Sequence, residues 1–303
     1  MNIIFMGTPF FAQQVLDTLI NLVHVKAVVT QPDKKVGRKN ILVPSPVKEF
    51  ALKHNIKVFT PLNLKEDYKD ILKIDADMII TCAYGQMIPQ ELLNHFPSFN
   101  IHASLLPLYR GGAPIERAIM NNENKTGITL MKMSHKMDRG DILYQEEIPI
   151  LKSDTKDTLT LKLINLAQKI LRDNLSNIFN LKGVKQKEIA TCYAPTIKRE
   201  EELIDFQDDA LNIFNKIRAL DSKPGAYAYL FHKRFKLFSP SLKEGEAVTP
   251  GRIKDINDKL EIETKNGLLL IGELQEEGKK RISVKDYFNG QDKEKFKGQI
   301  FNE

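Results

Sequence analysis

The sequence predicts an α/β domain with a parallel sheet, followed by a small β-barrel. The first half of the chain alternates short apolar, β-rich runs with amphipathic stretches, which is typical of βαβ units. The last third contains short alternating strands separated by tight turns, which is typical of a small barrel. At 303 residues, the chain is long enough for two domains of common size.

The strands predicted for the first domain are NIIFMG, VKAVVTQ, IKVFT, DADMIITCAYG and SFNIHAS, with AQQVLDTLINL and SPVKEFALKHN as intervening helices. Met78 to Ile80 are apolar at successive positions, as expected of a central strand that is covered on both faces. Ligands of such folds bind at the carboxyl ends of the strands, so we look for function in the segments that follow them.

An amphipathic helix from Thr155 to about Phe179 is predicted to close the first domain. The mixed polar and charged segment GVKQKEIATCYAPTIKREEELIDF then predicts a linker across the surface. After one short helix, Asn266-Gly267 indicates a hairpin turn between two strands of a barrel, which could be of the oligonucleotide-binding (OB) type. We therefore expect a first domain over 1–187, a linker over 188–206 and a barrel over 207–303.

The composition excludes several classes of protein. Hydrophobic residues make up 42% and charged residues 28%, without a long apolar run, so no membrane span is expected. The first residues read as a strand and not as a targeting peptide, which favours a cytoplasmic protein. Cys82 and Cys192 are far apart and lack metal-ligand spacing, so we expect neither a disulfide framework nor a metal site.

A basic segment follows the second predicted strand. The net charge of +6 permits a polyanionic partner without establishing one. The segment QPDKKVGRKNILVPSPVK concentrates cations around a glycine and ahead of three prolines, which predicts a basic loop. A nucleic-acid contact and a solvated surface loop are equally good interpretations of its individual residues.

Three polar residues follow the period of a strand in SFNIHAS. Asn100, His102 and Ser104 share one side, at the predicted end of a parallel strand. A primary amide and an imidazole there can stabilise a carbonyl oxygen as it becomes an oxyanion and can move a proton. Asp138, in HKMDRGDIL, could orient the imidazole. Taken alone, these residues could equally satisfy loop backbone groups and form a turn.

The segment NIHASLLPLYRGGAPI, with its RGGAPI extension, resembles the signature of the folate-dependent formyltransferases that act on initiator methionyl-tRNA. Further segments that resemble this family, in the same order, are FMGTPFFA, TQPDKKVGRKNILVPSPVK, ADMIITCAYGQMIP, DRGDILY and CYAPTIKREEELIDF. The similarity extends over nearly the whole chain and is weakest in the barrel.

The resemblance implies a Rossmann-like domain that binds 10-formyltetrahydrofolate and an OB-like barrel that helps to hold the initiator methionyl-tRNA. Asn100, His102 and Asp138 match the catalytic trio of the family. In that reaction the methionyl α-amine attacks the formyl carbon. Asn100 and His102 would stabilise the oxyanion, and Asp138 would orient His102 and help to pass the proton of the amine.

The resemblance also implies which residues bind the two substrates. The segments expected to lie against folate comprise Gly85, Gln86, Met87, Ile88, Pro89, Ser104, Leu105, Leu106 and Pro107. The residues expected to contact tRNA are Lys34, Lys35, Arg38, Lys39, Lys233 and Arg234. We expect no metal ion, and we expect the protein to be a monomer. Ordinary packing is an alternative role for Leu105 and Leu106.

Two positions depart from the family pattern, because Lys136 and Arg139 stand where small residues are usual. A formyltransferase acting on a small amine, such as a sugar nucleotide, is one rival, and the basic loop and the barrel argue against it. A dinucleotide-dependent oxidoreductase is disfavoured because GTPFFA lacks the G-x-G-x-x-G pattern. A non-catalytic tRNA-binding protein would not need the polar trio.

Overall fold

The computed structural model describes residues 1–37, 40–187 and 192–303. Two of the predicted tRNA-binding residues, Arg38 and Lys39, lie outside the described residues, as does the start of the predicted linker at 188–191. The chain forms two compact units. The ranges of the first are Met1–Pro114, Lys125–Pro149 and Thr160–Pro195, and those of the second are Ile115–Asn124, Ile150–Leu159 and Thr196–Glu303. The domain boundaries proposed from sequence stay a prediction.

The first unit contains the parallel strands and the helices between them. In chain order its elements are β1 (Asn2–Gly7), α1 (Phe10–Leu19), β2 (His24–Val29), β3 (Lys34–Val36), β4 (Ile41–Val43), α2 (Pro46–Lys53), β5 (Lys57–Phe59), α3 (Leu64–Asp67), α4 (Lys69–Leu72), β6 (Met78–Cys82), α5 (Gln90–His95), β7 (Ser98–His102), β8 (Lys125–Lys132) and β9 (Ile142–Pro149). Two helices contribute residues to both units: α6 (Pro114–Met120) and α7 (Lys156–Asn174), the latter followed by a 3₁₀ helix at Leu175–Asn180.

Seven strands form the main sheet of this unit in the order β5-β2-β1-β6-β7-β8-β9. The first five are mutually parallel, and β8 and β9 add two antiparallel strands at one edge. Every residue of β6 is buried, as its unbroken apolar run predicts. The Rossmann-like parallel sheet is therefore confirmed, and β1, β6 and β7 end side by side at the edge where ligands of such sheets bind.

Two segments expected to be loops are paired. In its described part the basic loop is a hairpin in which β3 pairs antiparallel with β4. The predicted linker is more than a surface crossing, because it pairs with the first unit. Tyr109 N–H donates to the Cys192 carbonyl at 2.7 Å, and Ala194 N–H donates to the Arg110 carbonyl at 2.7 Å.

The second unit carries an antiparallel sheet. Its elements are a 3₁₀ helix (Arg199–Glu202), α8 (Ala210–Leu220), β10 (Tyr227–Leu230), β11 (Lys233–Lys243), β12 (Ile253–Ile256), β13 (Leu260–Glu263), β14 (Leu268–Glu276), β15 (Ile282–Ser283), α9 (Val284–Tyr287) and a 3₁₀ helix (Lys293–Lys295). The strands follow the order β10-β11-β14-β13-β12, and β15 pairs with β14. The sheet curls into a half-barrel, which confirms the predicted barrel-like fold. The hairpin predicted at Asn266-Gly267 joins β13 to β14.

A buried carboxylate ties several elements of this unit together. Glu276 is 6% exposed, and it accepts a hydrogen bond from the Tyr287 hydroxyl at 2.8 Å. Lys279 and Lys233 donate to the same carboxylate at 2.7 Å and 3.1 Å. Burial raises the pKa of Glu276, but these hydrogen bonds outweigh it and lower the pKa to about 2.

The described helices include none that is long and apolar enough to span a membrane. Within the same described residues, no three His, Cys, Asp or Glu side chains cluster as they would to hold a metal ion.

Candidate active site

Two members of the predicted trio lie at the carboxyl end of β7. Asn100 is half-buried and stands opposite Thr81 of β6 in the parallel register. The Thr81 hydroxyl donates to Asn100 Oδ1 at 2.8 Å. Because the oxygen of the amide accepts this bond, the amide nitrogen points away from Thr81 and is available as a donor. His102 lies two residues further on and is 6% exposed.

Asp138 reaches these residues from the loop between β8 and β9. Its backbone is left-handed, with φ of 52°. Its Oδ1 lies 3.5 Å from Asn100 Nδ2, and its Oδ2 lies 3.8 Å from His102 Nδ1. Gly111 N–H donates to the same Oδ2 at 2.9 Å. The structure therefore brings together the three residues that the sequence singled out.

The imidazole of His102 has one nitrogen committed to the backbone. Its Nε2 lies 2.9 Å from the Tyr109 carbonyl oxygen. Since a carbonyl oxygen only accepts hydrogen bonds, Nε2 carries a hydrogen, and Nδ1 is the nitrogen that faces Asp138. In the neutral ring Nδ1 holds a lone pair, so His102 can accept a proton at this nitrogen. The Asp138 carboxylate then lies next to the protonated ring.

The segments predicted to contact folate follow the ends of two adjacent strands, β6 and β7. Gly85 and Met87 are exposed, Gln86 is half-buried, and Ile88 and Pro89 are buried. The Gln86 side chain is used locally, because its Oε1 accepts a hydrogen bond from Leu64 N–H at 2.8 Å.

In the second segment, Ser104 and Leu106 are buried, whereas Leu105 and Pro107 are half-buried. The Ser104 hydroxyl donates to the Leu108 carbonyl at 2.7 Å. Leu106 also has a backbone role, because its carbonyl accepts a hydrogen bond from the Gln145 side chain at 2.8 Å.

The predicted tRNA-binding residues differ in whether they form salt bridges within the chain. Lys34 and Lys35 are exposed on β3, and neither has a salt-bridge partner among the residues that the structure describes. Lys233 pairs with the buried Glu276 at 3.1 Å. Arg234 lies 3.6 Å from Glu277 and stacks over the Tyr227 ring at 5.6 Å. The two barrel cations are therefore engaged locally.

Comparison with known proteins identifies the family to which the chain belongs. Residues 1–175 match the family model described as formyl transferase, and residues 196–292 match the one described as formyl transferase, C-terminal domain. The chain belongs to the formyl transferase family. A methionyl-tRNA formyltransferase from Caldicellulosiruptor saccharolyticus is 44% identical, covering 96% of this chain and 97% of the relative. One from Mesoplasma florum is 41% identical and covers 94% of both chains.

Solved structures share the fold at lower identity. HypX from Aquifex aeolicus, in complex with tetrahydrofolic acid, superposes with a TM-score of 0.64 at 21% identity over 94% of this chain. The match spans 46% of HypX. The N-formyltransferase from Helicobacter canadensis, in complex with folinic acid and dTDP-3-aminofucose, has a TM-score of 0.66 at 23% identity, covering 89% of this chain and 97% of that one.

Several residues around this formyltransferase site were missed in the sequence. Thr81 orients Asn100, and the Tyr109 carbonyl fixes the tautomer of His102. Gly111 has φ of 127°, and a Cβ there would stand 2.5 Å from the Ala194 carbonyl oxygen. The Gly-Gly pair at 111 and 112 was a visible signal of such a close approach. Gln186, which hydrogen-bonds the Asp138 and Gly140 carbonyls, carried no such signal.

Proposed function

We infer that the chain transfers the formyl group of 10-formyltetrahydrofolate to the α-amine of methionine on initiator tRNA, for translation initiation. The observation that carries this function is the identity of 44% to a methionyl-tRNA formyltransferase over both chains' nearly full length. The convergence of an amide, an imidazole and a carboxylate at the end of β7 supplies groups suited to acyl transfer.

We propose that Asn100 donates from Nδ2 to the oxygen of the formyl group as the amine attacks. The bond between amine nitrogen and formyl carbon forms, and the bond from that carbon to N10 of the folate breaks. His102 accepts the proton of the amine at Nδ1, and the protonated ring donates a hydrogen bond toward the oxyanion. When the bond from the carbon to N10 breaks, its electron pair stays on N10, which takes up this proton from the ring and leaves as tetrahydrofolate. Asp138 orients the ring and stabilises its charge.

We propose that folate binds along the segments 85–89 and 104–107. A buried polar group beside the first segment supports this fit. The hydroxyl of Tyr84 is buried without a hydrogen-bond partner within the described part of the chain, and burial raises the pKa of Tyr84. Gly85, which follows it, has φ of 89° and leaves its backbone exposed. An exposed backbone can pair with a flat heterocycle that carries donors and acceptors.

We propose that the β3–β4 hairpin contacts tRNA through Lys34 and Lys35, together with Arg38 and Lys39 from outside the described residues. The exposed fractions of Val36, Ile41 and Leu42 are 53%, 60% and 62%. The hairpin therefore presents apolar side chains beside its cations, which suits a surface that meets both phosphates and bases. Lys233 and Arg234 are secondary candidates because each is paired with an acid.

We also propose the domain arrangement 1–187, 188–206 and 207–303, a monomeric state and a cytoplasmic location. The family matches end at 175 and resume at 196, which supports a linker between them.

The test is transfer of labelled formyl from 10-formyltetrahydrofolate to initiator methionyl-tRNA, compared with free methionine and with an amino-sugar nucleotide. We expect transfer to the charged tRNA alone. Preferential transfer to a small amine would retain the chemistry and refute the substrate.

A further inference from the structure

Gln186 connects three parts of the first unit through one side-chain amide. Its Oε1 accepts hydrogen bonds from Arg110 Nε at 3.0 Å and from Arg110 Nη2 at 2.7 Å. Its Nε2 donates to the carbonyl oxygens of Asp138 and Gly140, both at 2.8 Å. A single half-buried residue thus joins the loop after β7 to the loop before β9.

The chemistry of these neighbours determines the orientation of the amide. A guanidinium only donates, so it must face the oxygen of Gln186, and two carbonyls only accept, so they must face the nitrogen. Glutamate lacks the donor, and leucine lacks both groups. Glutamine therefore matches its neighbours in a way that neither a charged nor an apolar residue of similar size can.

The hydrogen bonds of Gln186 belong to a network that surrounds Asp138. The Arg110 side chain, which is 1% exposed, binds Gln186, and Gln186 binds the Asp138 main chain. The Asp138 carboxylate accepts from the N–H of Gly111, the residue directly after Arg110. Asp138 is thus held at its carbonyl by Gln186 and at its carboxylate by Gly111.

The turn that carries Asp138 has little freedom to compensate for a lost contact. A Cβ at Gly140 would lie 1.8 Å from the Lys132 carbonyl oxygen, so the backbone there presses against the end of β8. Asp138 itself is in the left-handed region, with φ of 52°. The Gln186 nitrogen binds the carbonyls of Asp138 and Gly140, so it holds the backbone of this turn.

We propose that Gln186 is a positioning residue that holds Asp138 at its distance from Asn100 and His102. The inference rests on the proposed catalytic role of Asp138. Gln186 touches no reacting group in this scheme and acts on the rate through the Asp138 loop.

The test compares Gln186→Leu and Gln186→Glu with wild type in the labelled-formyl assay, with kcat and KM measured for both substrates. We expect kcat to fall about 10- to 100-fold, because displacement of a catalytic group by about 1 Å has an effect of this size. KM for both substrates should stay within about threefold, since ground-state binding is not altered. The carboxylate in Gln186→Glu would retain an acceptor for Arg110, so this variant carries the test if the leucine variant does not fold.

Gln168→Leu is the matched control. Gln168, in α7, is also half-buried, and its amide donates to the carbonyl of Gln14 in α1 at 3.1 Å. Neither residue belongs to the Asp138 loop. This variant should lose the hydrogen bond of a half-buried glutamine amide away from the site and keep kcat.

A double-mutant cycle with Asp138→Asn separates positioning from general destabilisation. In the Asp138→Asn background, Gln186→Leu should reduce kcat by less than about threefold more, because the two residues act through one group. An equal further loss in that background, or a changed KM with normal kcat, would overturn the inference. If Asp138→Asn alone keeps full kcat, the catalytic role of Asp138 fails and the inference with it. A loss in Asp138→Asn without one in either Gln186 variant overturns the inference alone.

Discussion

Replacing Asn100 by aspartate would change one group in the site and preserve its shape. The carboxylate could still accept the hydrogen bond from Thr81, which is 2.8 Å long in the parent. The Nδ2 donor would be lost, and removal of one oxyanion donor typically costs about 2.7–4 kcal/mol of transition-state stabilisation. In addition, two carboxylates would face each other where Asn100 Nδ2 and Asp138 Oδ1 are now 3.5 Å apart.

At that distance, like charges repel by about 5 kcal/mol at an effective dielectric constant of about 20, and uptake of one proton would relieve part of it. We therefore expect Asn100→Asp to lower kcat by at least about 10²–10³-fold. Asn100→Ala, which removes the donor without adding charge, should lose the same factor and no more.

The assay is single-turnover transfer of labelled formyl at saturating 10-formyltetrahydrofolate and methionyl-tRNA. Thermal unfolding and tRNA affinity, measured on the same preparations, would exclude misfolding as the cause. A single-turnover rate constant for Asn100→Ala within about threefold of the parent would refute the oxyanion role, because removing a donor that acts at the transition state must slow the reaction by more than this.

Three further predictions concern other parts of the chain. His102→Ala should keep the fold and tRNA binding but abolish turnover, and near-normal turnover would remove His102 from the mechanism. Neutralising Lys34 and Lys35 should weaken tRNA binding and flatten the slope of log K against log salt by up to about 2, since each phosphate contact releases about one counterion; an unchanged slope would leave the hairpin a solvated surface. Glu276→Gln should lower the free energy of unfolding of the second unit by about 1–2 kcal/mol near neutral pH. The pKa of Glu276 is lowered from 4.5 to about 2 on folding, so this contribution is present above 4.5 and is lost as the pH falls toward 2. Denaturant unfolding from acidic to neutral pH checks it, and a pH-independent difference from wild type would contradict it.

The parallel strands could be predicted because they are buried on both faces and read as apolar runs, as in β1 and β6. The two antiparallel strands at the sheet edge, β8 and β9, could not be predicted in this way. Every residue of β9 is half-buried or exposed, and the strand includes Glu146 and Glu147. In β8, Gly127 interrupts a strand pattern. The structure gives the reason for this glycine, since a Cβ would lie 2.1 Å from the Glu146 carbonyl oxygen on β9.

Within the site, the period of a strand was enough to place Asn100 and His102 on one side of β7. The arrival of Asp138 depended on a loop whose path no local pattern specifies. Its sequence context allowed it to orient an imidazole or to form a turn, and the family resemblance matched it to the catalytic trio. Which imidazole nitrogen of His102 is available to react could not be predicted from the sequence either. It depends on the Tyr109 carbonyl, which turns toward His102 because Tyr109 has a left-handed backbone with φ of 60°.

Part of the segment that sequence composition marks as a linker pairs with the loop that follows β7. Val184 exchanges hydrogen bonds with Ile142 at 2.8 Å and 2.9 Å, which brings the neighbouring Gln186 beside the turn before β9. Further along, Cys192 and Ala194 pair with the backbone on either side of Arg110. Charged, proline-containing composition is typical of a solvated connection, yet here the backbone forms ladder-like pairs that composition does not encode. Because Cys192 and Ala194 hold the backbone next to Gly111, a chain that ended at residue 187 would keep Gln186 but lose this pairing.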